Sequence, residues 1–114
     1  NQSLTVTGAI TNTGVIAAQG NNSITAKTLD SGPSSLLGAG MQADGKLGAA
    51  GDLTINTTQT LAAHGQNLAA GKATLTGASV DIAGSQTSAA NIGLTATQGD
   101  VSTNKAVVTT AGTL

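Results

Sequence analysis

Few residues in this sequence could do chemistry, and the most suggestive group is rich in glycine. Residues 40–46 have the spacing G-x-x-x-x-G-K of a phosphate-binding loop, in which backbone amides and a lysine hold phosphate groups. Such a loop also needs a serine or threonine after the lysine, to bind Mg²⁺, and a helix behind it. Leu47 follows Lys46, and more glycine-rich sequence comes next. We therefore attribute the match to glycine-rich repetition and expect no cofactor.

The titratable residues are too sparse for a metal centre. His64 is the single histidine, and the chain has no cysteine and no glutamate, so none of these ligand types is available to complete a site around it. We interpret His64 as an exposed turn residue. Asp81 and Asp100 are 19 residues apart and could meet on neighbouring coils of a repeat. A polysaccharide-cleaving β-helix would combine such acids with arginine and aromatic platforms, which are missing here. We expect no catalytic residue, no metal and no enzymatic activity.

The composition excludes several partners. The formal net charge is −1, with four Lys+Arg and five Asp+Glu residues, so no basic surface is available for nucleic acid or anionic lipid. No apolar run is long enough to span a membrane. Aromatic residues are absent, while 16 glycines accompany many small aliphatic, threonine and asparagine residues. These facts favour a narrow core of small side chains.

A short phrase, a large aliphatic residue followed by threonine, recurs along the chain. The intervals between its leading residues are 20, 29, 22 and 19 residues. The leading residues are Leu4, Ile24, Leu53, Leu75 and Leu94. A period of this size is the mark of a repeat architecture.

Within each phrase, aliphatic and polar residues alternate, as a half-buried strand requires. Each repeat has room for two or three short strands with glycine- or asparagine-rich corners. The sequence therefore predicts a parallel β-helix (a β-solenoid) of about five coils of ~20 residues, without helices. We treat residues 1–114 as a single segment, cut from a longer protein. The five leading aliphatic residues are expected to stack as an internal ladder.

The long second interval predicts an insertion at residues 30–51, because its surplus contains Pro33 and many glycines. Insertions in solenoids map to loops on one face, which is often a binding face. A tolerated loop without a partner is the simpler interpretation. The candidate partner-binding residues in this loop are Ser31, Pro33, Leu36, Leu37 and Met41.

Residues 48–57, 64–72 and 83–101 resemble the repeats of filamentous haemagglutinin proteins, which are built on phrases such as GxLAAGGDLTL. The resemblance is good from about residue 45 onward and looser over residues 1–30. It implies a right-handed parallel β-helix from the stalk of a large bacterial exoprotein. It further implies two-partner secretion, in which an outer-membrane pore exports the unfolded chain. The absence of cysteine suits such export.

The resemblance implies a secreted or cell-surface protein. The function that we expect is that of a non-enzymatic stalk or spacer in a haemagglutinin-like adhesin. The alternative is the stalk of a contact-dependent growth-inhibition toxin, with receptor binding by the 30–51 insertion. Expected partners are the neighbouring coils of the parent protein, the outer-membrane pore during export and a host or bacterial surface receptor. Neither nucleic acid nor membrane insertion is expected.

Overall fold

A computed structural model describes residues 2–32, 34–40 and 51–110 of the chain. Fifteen strands and no helix lie within these ranges, so none of the described segments is a helix that could cross a membrane. The first five strands are β1 (Gln2–Thr5), β2 (Ala9–Asn12), β3 (Val15–Ala18), β4 (Asn22–Ala26) and β5 (Thr28–Ser31). The next five are β6 (Leu36–Ala39), β7 (Leu53–Thr57), β8 (Thr60–Ala63), β9 (Gln66–Ala69) and β10 (Lys72–Gly77). The last five are β11 (Ser79–Asp81), β12 (Gln86–Ala89), β13 (Asn91–Ala96), β14 (Val101–Ser102) and β15 (Val107–Thr110).

The strands form three parallel sheets of five strands each. We name them sheet A (β1-β4-β7-β10-β13), sheet B (β2-β5-β8-β11-β14) and sheet C (β3-β6-β9-β12-β15). Each turn of the chain adds one strand to every sheet, and each strand pairs with its equivalents in the coils above and below. The predicted β-solenoid of about five coils is confirmed.

The alternation of side chains places the core inside the three sheets. In β7, Leu53, Ile55 and Thr57 are buried, and Thr54 and Asn56 between them are more exposed. Side chains of a strand point to opposite faces in turn, so one face of each sheet lines a shared interior. That interior is filled mainly by isoleucine, leucine, valine and alanine, with a minority of buried asparagine, serine and threonine.

The internal ladder of sheet A differs from the prediction at one rung. The register pairs Ile24 with Ile55, and Ile55 with Leu75. Leu53 lies two residues earlier and stacks between Asn22 and Ala73. Because residues two apart in a strand share a face, Leu53 and Ile55 both point inward and both are fully buried. The corrected ladder consists of Leu4, Ile24, Ile55, Leu75 and Leu94.

The predicted insertion is also shorter than expected. Ser31 is a fully buried residue of β5, and Leu37 is a fully buried residue of β6. Leu36 is half-buried on the outer face of β6, which pairs with β3. These three residues belong to the second coil and not to a loop. Pro33 and Met41 lie outside the described residues.

Candidate functional site

Most of the surplus of the second coil falls at one corner, where sheet C leads into sheet A. A Cβ atom built on Gly51 would overlap the amide nitrogen and the Cα atom of Gly40, so the two backbones are in direct contact. Both glycines have positive φ, +71° at Gly40 and +153° at Gly51, which favours glycine at each. Gly40 and Gly51 therefore lie side by side at one corner of the solenoid, although ten residues separate them in the sequence.

The coils on either side show that this corner is otherwise regular. Ala39 pairs with Ala69 in sheet C, and Leu53 pairs with Ala73 in sheet A. When residues 41–50 are left out of the count, two residues, Gly40 and Gly51, lie between Ala39 and Asp52. In the next coil, two residues also lie between the equivalent positions, Ala69 and Lys72. The insertion thus amounts to the ten residues 41–50, added to a coil of ordinary length.

A row of side-chain to backbone hydrogen bonds holds the coils together at the same corner. The amide of Asp52 donates to Oδ1 of Asn21 at 2.9 Å, and the amide of Lys72 donates to Oδ1 of Asp52 at 2.8 Å. Each short polar side chain thus binds the backbone of the next coil. Sequence reasoning missed this device. The signal for it is the glycine directly followed by asparagine or aspartate, at Gly20 and again at Gly51.

His64 and Asp81 lie at a second corner, between sheets B and C. Nδ1 of His64 lies 2.8 Å from the carbonyl oxygen of Ala83, so it must carry the proton of that hydrogen bond. Nε2 lies 3.7 Å from Oδ2 of Asp81, and Oδ1 of Asp81 accepts a bond from the amide of Ala83 at 3.0 Å. The two side chains are 30% and 42% exposed, so a protonated His64 would form only a weak ion pair. The contact between His64 and Asp81 joins the third coil to the fourth. His64 is only partly exposed, whereas the sequence suggested an exposed turn residue.

The acids do not converge on a reaction centre. Asp81 pairs with Ser102, and Val101 pairs with Val80, so Asp100 is offset from Asp81 along the neighbouring strand. Across the described residues, no group of three histidine, cysteine, aspartate or glutamate side chains could hold a metal ion.

Buried polar side chains form a seam inside sheet C and its entry corner. Asn67 is fully buried, and its Nδ2 donates to the carbonyl of Ala63 at 3.3 Å and to Oγ1 of Thr87 at 3.1 Å. Thr87 also lies 3.3 Å from Oγ of Ser85. Among the described residues, Oδ1 of Asn67 and Oδ1 of the buried Asn22 have no hydrogen-bond partner. An acceptor that stays buried without a partner costs about 1–3 kcal/mol, which offsets part of what the donated hydrogen bonds of Asn67 contribute.

A cavity lies at the last coil of the described part of the chain. Its lining includes Lys72 of the fourth coil and Ile92, Leu94, Ala106 and Val108 of the fifth. The exposed large hydrophobic residues in the described part of the chain all lie in the first and last coils.

No family model matches this chain, and no solved structure matches it. Two curated proteins are similar to it. One is named "Toxin CdiA", from Yersinia pestis, and is 54% identical over 101 residues, or 89% of this chain. The other is named "tRNA nuclease CdiA-2", from Burkholderia pseudomallei (strain 1026b), and is 48% identical over 65 residues, or 56% of this chain. The chain spans only 3% and 2% of the lengths of these two relatives.

These relatives correct one expectation and shift another. The prediction that no enzymatic activity is involved is wrong, because the relatives are named as a toxin and as a tRNA nuclease, and a nuclease is an enzyme. Between the two expected kinds of exoprotein, the names favour the growth-inhibition toxin over the adhesin. The candidate partner-binding residues stay a prediction. The chain is thus a β-solenoid segment that is similar to a small part of CdiA toxins.

Proposed function

We propose that this chain is part of the stalk of a contact-dependent growth-inhibition toxin that is displayed at the bacterial surface. The observation that supports this most strongly is the 54% identity to a CdiA toxin over 89% of the chain, together with a solenoid whose coils stack in regular register. A solenoid grows by adding coils, each of which advances the stack by about 4.8 Å. Such a rod can carry a toxin away from the surface of the producing cell.

We also propose that the protein to which this segment contributes is an enzymatic toxin of the nuclease class. The support is the name of the second relative, a tRNA nuclease. Export through a dedicated outer-membrane pore, and contacts with neighbouring coils of a longer protein, are further parts of this proposal. The resemblance to exoprotein repeats favours them.

The stalk function is tested by deletions in a producing strain that carries the full-length protein. Removing residues 53–72 takes out one complete coil, since Leu53 and Ala73 pair directly. Removing residues 53–62 takes out half a coil, which breaks the register of all later strands. Growth inhibition in co-culture is measured as the survival of target cells, and surface display is measured with an antibody.

We expect the one-coil deletion to inhibit target cells as well as the parent does, because the rod is merely shortened. The half-coil deletion should lose both surface display and inhibition. Full inhibition by the half-coil deletion would contradict a stalk function. Cell attachment by the parent without any inhibition of target cells would favour the adhesin instead.

A second candidate function is receptor recognition by the corner that carries residues 41–50. The contact between Gly40 and Gly51 favours it, because the insertion leaves the register of the solenoid intact. Deleting residues 41–50 in the producing strain should then preserve surface display and abolish binding to target cells. Unchanged binding by this deletion would leave the corner without a recognition function.

A further inference from the structure

Side chains join the third coil (β7, β8 and β9) to the fourth (β10, β11 and β12), in addition to the paired strands. At the corner between sheets C and A, Oδ1 of Asp52 accepts a hydrogen bond from the amide of Lys72 at 2.8 Å. At the corner between sheets B and C, Nδ1 of His64 donates to the carbonyl oxygen of Ala83 at 2.8 Å. Both bonds run from one coil to the next, so the fourth coil leaves the third only if they break.

The remaining corner and the interior carry further links between the same two coils. Oγ1 of Thr57, at the end of β7, lies 3.4 Å from the carbonyl oxygen of Thr76 in β10. In the core, Nδ2 of Asn67 donates to Oγ1 of Thr87 at 3.1 Å, and both side chains are buried. Hydrogen bonds that are shielded from water are electrostatically stronger than exposed ones. Side chains therefore link the third and fourth coils at every corner and in the core.

More chain separates the second coil from the third than the third from the fourth. The amide of Asp52 donates to Oδ1 of Asn21, which lies 31 residues earlier in the sequence, whereas the amide of Lys72 donates to Asp52, only 20 residues earlier. The entropic cost of closing a loop rises with the logarithm of its length, so the longer closure is about twofold less favourable. This difference favours the fourth coil over the second as the neighbour of the third.

We propose that the third and fourth coils form a clasped pair (strands β7–β12), which stays together when the coils on either side of it open. Coils that interacted equally would make the five described coils symmetric about the third, and the second and fourth would then open equally often. The clasped pair breaks this symmetry and gives the solenoid a fixed part on which opened coils can pair again. The inference rests on the contacts of these coils and not on the proposed function.

Native-state hydrogen exchange in increasing urea tests the proposal, because it measures how often each coil opens. Amides of β4, β7 and β10 report on the second, third and fourth coils of sheet A. The test variant is His64→Ala, which removes the bond to Ala83 and the contact with Asp81. Gln66→Ala is the matched control, since Gln66 is an exposed residue of the same coil. Far-UV circular dichroism checks that each variant keeps its β signal.

In the wild-type chain, we expect the opening constant of the fourth coil to match that of the third within roughly twofold, and that of the second coil to be at least about fivefold larger. His64→Ala should raise the opening constant of the fourth coil relative to the third by about three- to tenfold, because a link at one corner is lost. Gln66→Ala should leave the ratio between these two coils unchanged.

Equal opening constants for the second and fourth coils of the wild-type chain would overturn the proposal, since a symmetric solenoid would then suffice. A His64→Ala variant whose third and fourth coils still open together, as often as in the wild type, would overturn it as well. If His64→Ala loses its β signal, Asp52→Ala takes its place, because it removes the bond to the amide of Lys72 and leaves the corner at His64 intact.

Discussion

At the scale of single residues, equivalent positions in neighbouring coils have the same backbone conformation even where their residue types differ. Lys105 has a φ of +59°, in the left-handed region that costs an L-residue about 1–2 kcal/mol. In the preceding coil, Gly84 has a φ of +72°, and its amide donates to the carbonyl of Asn104 at 2.9 Å. Stacking thus requires the same turn in both coils, but only one of them has a glycine there.

Replacing Lys105 by glycine should therefore stabilise the chain. We expect Lys105→Gly to raise the free energy of unfolding by about 0.5–1 kcal/mol, because the strain at φ +59° is removed. The control is Lys27→Gly at an exposed position without positive φ, which should lower it by a similar amount. Urea unfolding measures both. A decrease in the free energy of unfolding for both variants would show that Lys105 is not strained.

The polar seam gives a second prediction at this scale. Asn67→Leu should lower the free energy of unfolding by about 1–3 kcal/mol, since the acceptors on Ala63 and Thr87 lose their donor. Adding Thr87→Val should recover most of that loss, because the column then becomes aliphatic between Leu37 and Val108. A double-mutant cycle in urea measures the coupling between the two sites. Additive losses would contradict a shared hydrogen-bond network.

At the scale of elements, the sequence predicted the kind of strand well and its register less well. The phrase Leu53-Thr54-Ile55 offers two inward aliphatic residues two positions apart, and the alternation pattern alone does not decide which continues the ladder. The length of the preceding corner decides it, and that corner contains the insertion. The local pattern therefore predicts which face of a strand is buried. Which residues of neighbouring strands pair with each other depends on the lengths of the corners in the complete coil.

The boundaries of the insertion were overestimated for a related reason. Strand β5 carries an exposed Asp30 and a buried Ser31, so its sequence does not show the aliphatic alternation of sheet A. In β6, Gly38 and Ala39 resemble the glycine-rich corner that follows. Both segments are strands because their coil neighbours β2 and β3 pair with them along their whole length. Pairing between coils overrides weak local propensity here.

The contact between Gly40 and Gly51 predicts that the ten residues between them can be removed. We expect deletion of 41–50 to keep the β signal and to change the free energy of unfolding by less than about 1 kcal/mol, since loop length affects stability weakly. Deleting 61–70, which is equally long and takes out most of β8 and β9, is the matched control. It should abolish cooperative unfolding. Equal damage by both deletions would mean that 41–50 supports the core.

At the scale of the whole molecule, stability should be graded along the stack. Each coil contacts only its neighbours, so the free energy of the solenoid is close to a sum of coil and interface terms. Among the described strands, the outer coils have one interface each, and the inner coils have two.

Native-state hydrogen exchange tests this gradient. Amides of β7, β8 and β9 in the third coil should exchange most slowly. Those of β1 and β14 in the end coils should exchange fastest, because the ends open without the middle. Equal protection in all fifteen strands would show that the molecule opens only as one unit.

Because Gly40 and Gly51 are in contact, the length of such a rod and the sequence that it carries at this corner can vary independently. Its reach depends on the number of coils, at about 4.8 Å for each. The sequence inserted at the corner adds nothing to that reach, since the chain returns to the place where it left. A rod of this design can therefore be lengthened without altering what it displays. It can also carry an entire folded domain at that corner, provided that the two termini of the domain lie close together.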